Sequence, residues 1–236
     1  MGRPRYRIRE ALGQEFKAIF FDLDGTLVDI HGPLYVATRR ALEDSGEPTP
    51  FTREHYDEAL AARNLWFLAP DKASKDYLRL AFTHLVAELD SSERLEVLPY
   101  VHETLALLKR RGYVTAVITS RPGDAQRLVE KLAMVGLAPL LDKVVTQQTA
   151  SMRALDKTAS LKATALEMDL LPHACMYVGD EPRDIMAAKG AGFGAAIAVA
   201  TGPAGFDFLR DHPKYRPDHV MRSMADLINL IDRLPD

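Results

Sequence analysis

A doubly wound, mostly parallel α/β sheet interrupted by an all-helical insert is the fold class that this 236-residue chain predicts. Three observations point there. Short apolar runs recur between helical patterns, one long stretch carries helical patterning alone, and polar residues gather where the apolar runs end.

The apolar runs are Lys17 to Phe21, Val114 to Thr119, Lys143 to Thr146, Cys175 to Val178, Ala195 to Val199 and a weaker one at His219 to Met221. Each reads as a strand. Between them, Val101 to Arg111 (apolar at Val101, Leu105 and Leu108), Gln126 to Val135 and Leu161 to Met168 follow a helical period. Strands alternating with helices imply a Rossmann-like core, a sheet covered on both faces that binds ligands at the carboxyl ends of its strands.

From about Gly32 to Leu98 the alternation stops, and the pattern is helical with breaks at Gly46 to Phe51 and at Ala69-Pro70. Residues 31–98 are therefore expected to be an all-helical domain inserted after the first strand. The core takes residues 17–30 and 99–236, and residues 1–16 form a basic N-terminal extension in which Arg3, Arg5, Arg7 and Arg9 alternate.

Composition narrows the function. A formal charge of -3 argues against a nucleic-acid or other polyanion partner. No apolar run approaches the ~18 residues of a membrane span and no secretory leader follows the basic start, so no membrane partner and a cytoplasmic location are expected. The single cysteine, Cys175, has no partner for an internal disulfide and lies in an apolar run, where a small buried hydrophobe is the expected role. Gly190-Ala191-Gly192-Phe193-Gly194 precedes a strand instead of following one, which makes it a helix end and turn, not a dinucleotide loop.

The chemistry gathers at strand ends. Asp22 and Asp24 follow the first strand, and residues two apart in extended backbone point to one side, so the two carboxylates converge. At about 4 Å they would repel by roughly 4 kcal/mol at an effective dielectric near 20, which calls for a cation, a shared proton or both. The second strand ends in Thr119-Ser120-Arg121, Lys157 opens the helix leading to the fourth, and the fourth ends in Gly179-Asp180-Glu181-Pro182-Arg183-Asp184. Singly these read as caps and solvated charges. Together and in this order they make a constellation.

That constellation resembles the four motifs of the haloacid-dehalogenase-like (HAD) hydrolase superfamily. Asp22-Leu23-Asp24-Gly25-Thr26-Leu27-Val28-Asp29 matches its first motif residue for residue, Thr119 its second, Lys157 its third and Gly179-Asp180 through Asp184 its fourth, with Lys162 a neighbouring rival for the third. The helical insert is similar to the superfamily's helical cap, in the phosphoglycolate-phosphatase-like and β-phosphoglucomutase-like branch.

The resemblance implies a Mg²⁺-dependent phosphatase acting on a small organic phosphate monoester. Asp22 would be the nucleophile, forming an aspartyl-phosphate. Asp24, its pKa raised by surrounding carboxylates, would protonate the leaving group and then activate water. Mg²⁺ would take the carboxylates of Asp22 and Asp180 and the backbone carbonyl of Asp24, with Asp184 behind them orienting water or Lys157. In that scheme Asp24 is protonated, and the charges of Asp22, Asp180 and Asp184 balance those of Mg²⁺ and Lys157. Thr119, Ser120, Arg121, Gly25 and Thr26 would bind the phosphate.

In the insert, Lys72, Lys75 and Arg79 share a helical face and Arg63 lies one element earlier, a candidate site for a second anionic group of the substrate. Trp66-Phe67-Leu68 is expected in the cap core. Rival activities are a β-phosphoglucomutase-type mutase and a phosphonoacetaldehyde hydrolase, the latter needing Lys72 or Lys75 as a Schiff-base lysine. A dehalogenase is disfavoured by the presence of Asp24. A binding or regulatory protein that keeps the fold is the non-enzymatic alternative, and a monomer or homodimer is expected in either case.

Overall fold

Ala18 and Phe20 of the first strand face one side of a sheet and Ile19 and Phe21 the other, yet all four are fully buried. That burial on both faces is the signature of a sheet sandwiched between helices. The computed structural model describes residues 16–44, 51–61, 75–91, 95–150 and 156–232.

In chain order the elements are β1 (Ala18–Phe21), α1 (His31–Asp44), α2 (Arg53–Ala61), α3 (Lys75–Ser91), α4 (Val101–Arg110), β2 (Val114–Ile118), α5 (Ala125–Met134), β3 (Lys143–Val145), α6 (Gln147–Ala150), α7 (Thr158–Glu167), β4 (Cys175–Gly179), α8 (Pro182–Gly190), β5 (Ala195–Val199), α9 (Phe206–Asp211), β6 (His219–Met221) and α10 (Ala225–Ile231). All six strand candidates are strands. They pair in the order β3-β2-β1-β4-β5-β6, every pair parallel.

The two-residue period of each strand sorts side chains between two cores. Ile19, Phe21, Val117, Met176, Val178 and Ile197 meet Val101, Leu105 and Leu108 of α4, Leu128 and Leu132 of α5, and Leu227 and Leu230 of α10. Phe20, Ala116, Ile118, Tyr177 and Ala198 meet Leu161 and Ala165 of α7, Ile185 of α8 and Leu209 of α9. Cys175 belongs to the second core, has no solvent exposure, and burial pushes its thiol up to about 12. Gly190 ends α8 and Gly192 turns at φ 78°, so the glycine cluster is a helix terminus, as its position before β5 implies.

The chain divides into two compact units, residues 29–93 and the remainder. In the larger unit, Val28 and Val97 form an isolated antiparallel bridge and Leu98 N donates to Leu27 O at 3.0 Å, so the outgoing and returning chains run side by side. In the smaller unit the described elements are the helices α1, α2 and α3. Asp29 starts α1 by accepting from His31 N at 3.1 Å and Gly32 N at 2.8 Å, which satisfies amides that a helix start leaves open. Tyr35, Phe51 and Tyr56 form an aromatic cluster beside them, with Tyr35 and Phe51 stacked at 5.4 Å. No helix among the described residues is long and apolar enough to cross a membrane.

Candidate active site

The sheet order changes direction at β1: the chain moves to β2 and β3 on one side and to β4, β5 and β6 on the other. A crevice opens past the strand ends at such a switch point. The residues following β1, β2, β4 and β5 are brought together there.

Asp22 N donates to Val178 O at 2.8 Å, carrying the β1–β4 pairing one residue beyond the strand. The chain then turns sharply: Gly25 N donates to Val28 O and Leu27 N to Leu23 O, each at 2.8 Å. Gly25 is required twice over, because its φ of 77° lies in the left-handed region and a Cβ there would overlap the Asp180 carboxylate. Asp22 Oδ1 accepts from Leu23 N at 2.7 Å and from Lys157 Nζ at 2.7 Å.

Lys157 is buried and reaches a second carboxylate, Asp184 Oδ1, at 2.9 Å. Lys162 is exposed on α7, so Lys157 is the lysine at the acidic cluster. Asp184 sits in the first turn of α8, after Pro182 at its start, and its other oxygen accepts from Glu181 N at 3.1 Å. A carboxylate at a helix N-terminus is favoured by the open amides and the helix dipole. Carboxylate oxygens of Asp22, Asp180 and Asp184 lie within 4.8 Å of one another, and all three residues are buried.

Burial pushes the Asp22 carboxyl up to about 7, with Lys157 pulling it down and Asp184 and Asp24 adding to the rise. Burial, then Asp22 and Asp184, holds Asp180 well above the usual carboxylate range. For Lys157 burial acts to lower the pKa, but Asp184 and Asp22 outweigh it and keep the ammonium well above its ordinary value. The ionised Asp22 expected from sequence thus depends on more charge than Lys157 supplies. Three converging hard oxygen donors, buried and with their mutual repulsion only partly offset by Lys157, fit a small divalent cation such as Mg²⁺.

Asp24 lies close enough to Asp22 to add to the rise in its pKa, but its carboxylate is not among the three that converge and is paired instead with Arg121, whose Nε donates to Asp24 Oδ2 at 2.8 Å and Nη2 to Oδ1 at 2.5 Å. Each aspartate has its own cation, which offsets part of the repulsion foreseen for the pair. When all are ionised, the carboxylates of Asp22, Asp24, Asp180 and Asp184 face Lys157 and Arg121, leaving an excess of two negative charges. Thr26 also differs. It is fully buried and its hydroxyl donates to Asp180 Oδ1 at 3.5 Å, so it supports a carboxylate from within the turn.

Thr119 lies at the end of β2, buried, with its hydroxyl accepting from Arg121 N at 3.1 Å. Ser120 between them is partly exposed. Arg3, Arg5, Arg7, Arg9, Arg63, Trp66-Phe67-Leu68 and Lys72 lie outside the described residues, and Lys75 and Arg79 fall within α3.

Sequence reasoning missed the segment after β5. Thr201 Oγ1 donates to Gly25 O at 2.6 Å, and a Cβ on Gly202 would overlap Asp180 Oδ2. Gly25 and Gly202, from two loops, therefore bracket the Asp180 carboxylate. The available signal was a Thr-Gly pair just past a strand end, at the edge where ligands bind.

The sheet order and this acidic cluster define a class that comparison with known proteins identifies. The model for haloacid dehalogenase-like hydrolases matches residues 16–192, and the chain belongs to that family. Among relatives, a plasmid-encoded phosphoglycolate phosphatase of Cupriavidus necator is 32% identical over 207 residues, covering 80% of this chain and 82% of the relative. Pyrophosphatase PpaX of Bacillus pumilus is 27% identical over 219 residues, covering 90% and 95%. A crystal structure of a "predicted phosphoglycolate phosphatase" from Haemophilus somnus aligns with a TM-score of 0.66 at 25% identity, over 92% of this chain and 99% of that one.

Proposed function

We propose that the chain is a Mg²⁺-dependent phosphatase that hydrolyses a small organic phosphate monoester through an aspartyl-phosphate on Asp22. The observation carrying this reading is Asp22 at the end of β1, fixed by its contacts with Lys157 and Leu23 beside two further buried carboxylates. The names of the phosphatase relatives support the same class.

In the first half-reaction an Asp22 oxygen attacks phosphorus, the ester P–O bond breaks, and the leaving oxygen takes a proton from Asp24. In the second, Asp24 removes a proton from water, which attacks the phosphorus, and the P–O bond to Asp22 breaks to release phosphate. Lys157 holds the Asp22 carboxylate in orientation and offsets its charge. Asp22, Asp180 and Asp184 would hold Mg²⁺, which supplies Lewis acidity and neutralises charge on the phosphoryl oxygens. Thr119 and the amides around Gly25 and Ser120 provide neutral donors for the phosphate. The helical unit, residues 29–93, serves as the cap and discriminates among leaving groups.

The test is phosphate release across a panel that includes 2-phosphoglycolate, inorganic pyrophosphate and a sugar 1-phosphate, with Mg²⁺ and with EDTA. Release is expected only with metal, and Asp22→Asn is expected to abolish it. Activity that survives both EDTA and Asp22→Asn would overturn the reading, and transfer of phosphate back to a sugar would reassign the protein as a mutase.

A further inference from the structure

We propose that Tyr177 is a positioning residue: its hydroxyl fixes the peptide that leads into Thr119 and so holds the Thr119 side chain where the phosphate arrives. The inference rests on the phosphate-binding role given to Thr119 in the proposed reaction. Tyr177, in the middle of β4, has no solvent exposure and takes part in no step of that reaction. Phenylalanine would supply the same ring. A hydroxyl taken out of water is a cost unless it finds a partner, so its retention in a core points to the group that it bonds.

That group lies two strands away, on β2. Tyr177 is level with Phe20 of β1, and Phe20 with Ala116 of β2. Phe193 packs edge-on against both the Tyr177 and the Phe20 rings, with centroids at 6.5 and 5.6 Å, so the tyrosine ring is held by its neighbours. Its hydroxyl passes over β1 and donates to Ile118 O at 3.1 Å, two residues further along β2 towards the site. Ile118 is the last residue of that strand. Its carbonyl and the Thr119 N–H belong to one planar peptide, and the N–H donates to Val145 O of β3 at 3.0 Å. The peptide is therefore gripped at both edges, from β4 on one side and from β3 on the other.

Thr119 is buried, and its Oγ1 accepts from Arg121 N at 3.1 Å. The hydroxyl donates to no group among the described residues, which leaves its proton for a phosphate oxygen. Where that proton points depends on the backbone behind it, and a misplacement of about 1 Å can cost about 100-fold. Tyr177 also borders Lys157, whose Nζ lies 5.8 Å from the ring centre. The two neighbours have different readouts. Action through Thr119 appears in phosphate affinity, whereas action through Lys157, which contacts Asp22 and Asp184, appears in metal affinity.

Tyr177→Phe removes the hydroxyl and keeps the ring. Inhibition by inorganic phosphate, measured with saturating Mg²⁺ and p-nitrophenyl phosphate as substrate, is expected to weaken about tenfold, the order of one hydrogen bond to a charged oxygen. Mn²⁺ affinity, followed by electron paramagnetic resonance, should stay unchanged. In a Thr119→Val background, Tyr177→Phe should weaken phosphate inhibition no further, because the tyrosine acts through the threonine. Tyr177→4-aminophenylalanine restores a donor to Ile118 and should restore phosphate affinity. If the phenylalanine protein fails to fold by circular dichroism, Tyr177→4-fluorophenylalanine, which fills the hydroxyl's volume without donating, takes its place.

A folded Tyr177→Phe protein with a lower melting temperature and unaltered phosphate inhibition would overturn the inference and leave the hydroxyl a purely structural role. Equal losses of phosphate and Mn²⁺ affinity, or additive losses with Thr119→Val, would overturn it as well. The underlying reaction is judged separately. If Asp22→Asn retains activity, the proposed chemistry fails. If Asp22→Asn is dead and Thr119→Val weakens phosphate inhibition while Tyr177→Phe does not, the positioning role alone fails.

Discussion

Lys157 illustrates how one side chain sets the charge balance of a buried site. Removing one partner of a buried ion pair leaves the other uncompensated, at a cost of about 3–5 kcal/mol. Lys157→Met is therefore expected to lower stability by roughly that amount at pH 8 in urea denaturation, with part of the loss recovered by Mg²⁺. An unchanged midpoint would mean that the contacts to Asp22 and Asp184 contribute no net stability. Asp22 adds a pH dependence. Its carboxyl lies near 7 in the folded protein against an ordinary value of 3.8, so the folded state binds the proton more tightly than the unfolded one. Stability attached to that proton is present below about 4 and is lost as pH rises towards 7 and beyond. In EDTA the melting temperature should fall across that window, and Mg²⁺ should flatten the fall.

At the scale of elements, the site is assembled from loops that follow β1, β2, β4 and β5, plus the residue that opens α7. Gly202 makes the β5 loop a participant, because a Cβ there would displace the Asp180 carboxylate. Gly202→Ala should weaken Mn²⁺ binding, followed by electron paramagnetic resonance, by about 10–100-fold, the range for residues that hold metal ligands in place. Unaltered affinity in a folded variant would show that Asp180 tolerates the shift.

This contact also marks what the sequence could convey. The strands, their alternation with helices and the first motif were legible because period and spacing are local properties. Asp22, Lys157, Asp180 and Asp184 were legible as a set for a related reason: each lies at the end of an element whose type the pattern discloses. The Arg121–Asp24 fork and the Thr201–Gly25 contact were not, since nothing in local spacing states which loop meets which across 97 or 176 residues. Arg121 as the partner of Asp24 was not foreseen, because charge counting along a chain does not tell which cation each anion faces.

For the molecule as a whole, a metal held by the acidic cluster, as proposed, would couple binding to stability. A ligand that binds only the folded state at 100 times its dissociation constant adds about 2.7 kcal/mol. Mg²⁺ at that excess should raise the unfolding free energy accordingly, and Asp180→Asn should abolish the increment while leaving the helical content unchanged. The absence of any Mg²⁺-dependent gain in the parent protein would argue against a metal held by Asp22, Asp180 and Asp184.

The placement of Cys175 in the buried centre of β4 has a practical consequence. The folded protein should present no thiol to maleimide dyes, so labels can be installed without first removing a native cysteine. Phe82 in α3, 52% exposed, and Met134 at the end of α5, 66% exposed, offer one attachment point on each compact unit. Cysteines placed at both would carry a fluorescent donor and acceptor. Energy transfer between them, recorded as metal and phosphate ester are titrated in, would give each binding event an optical readout.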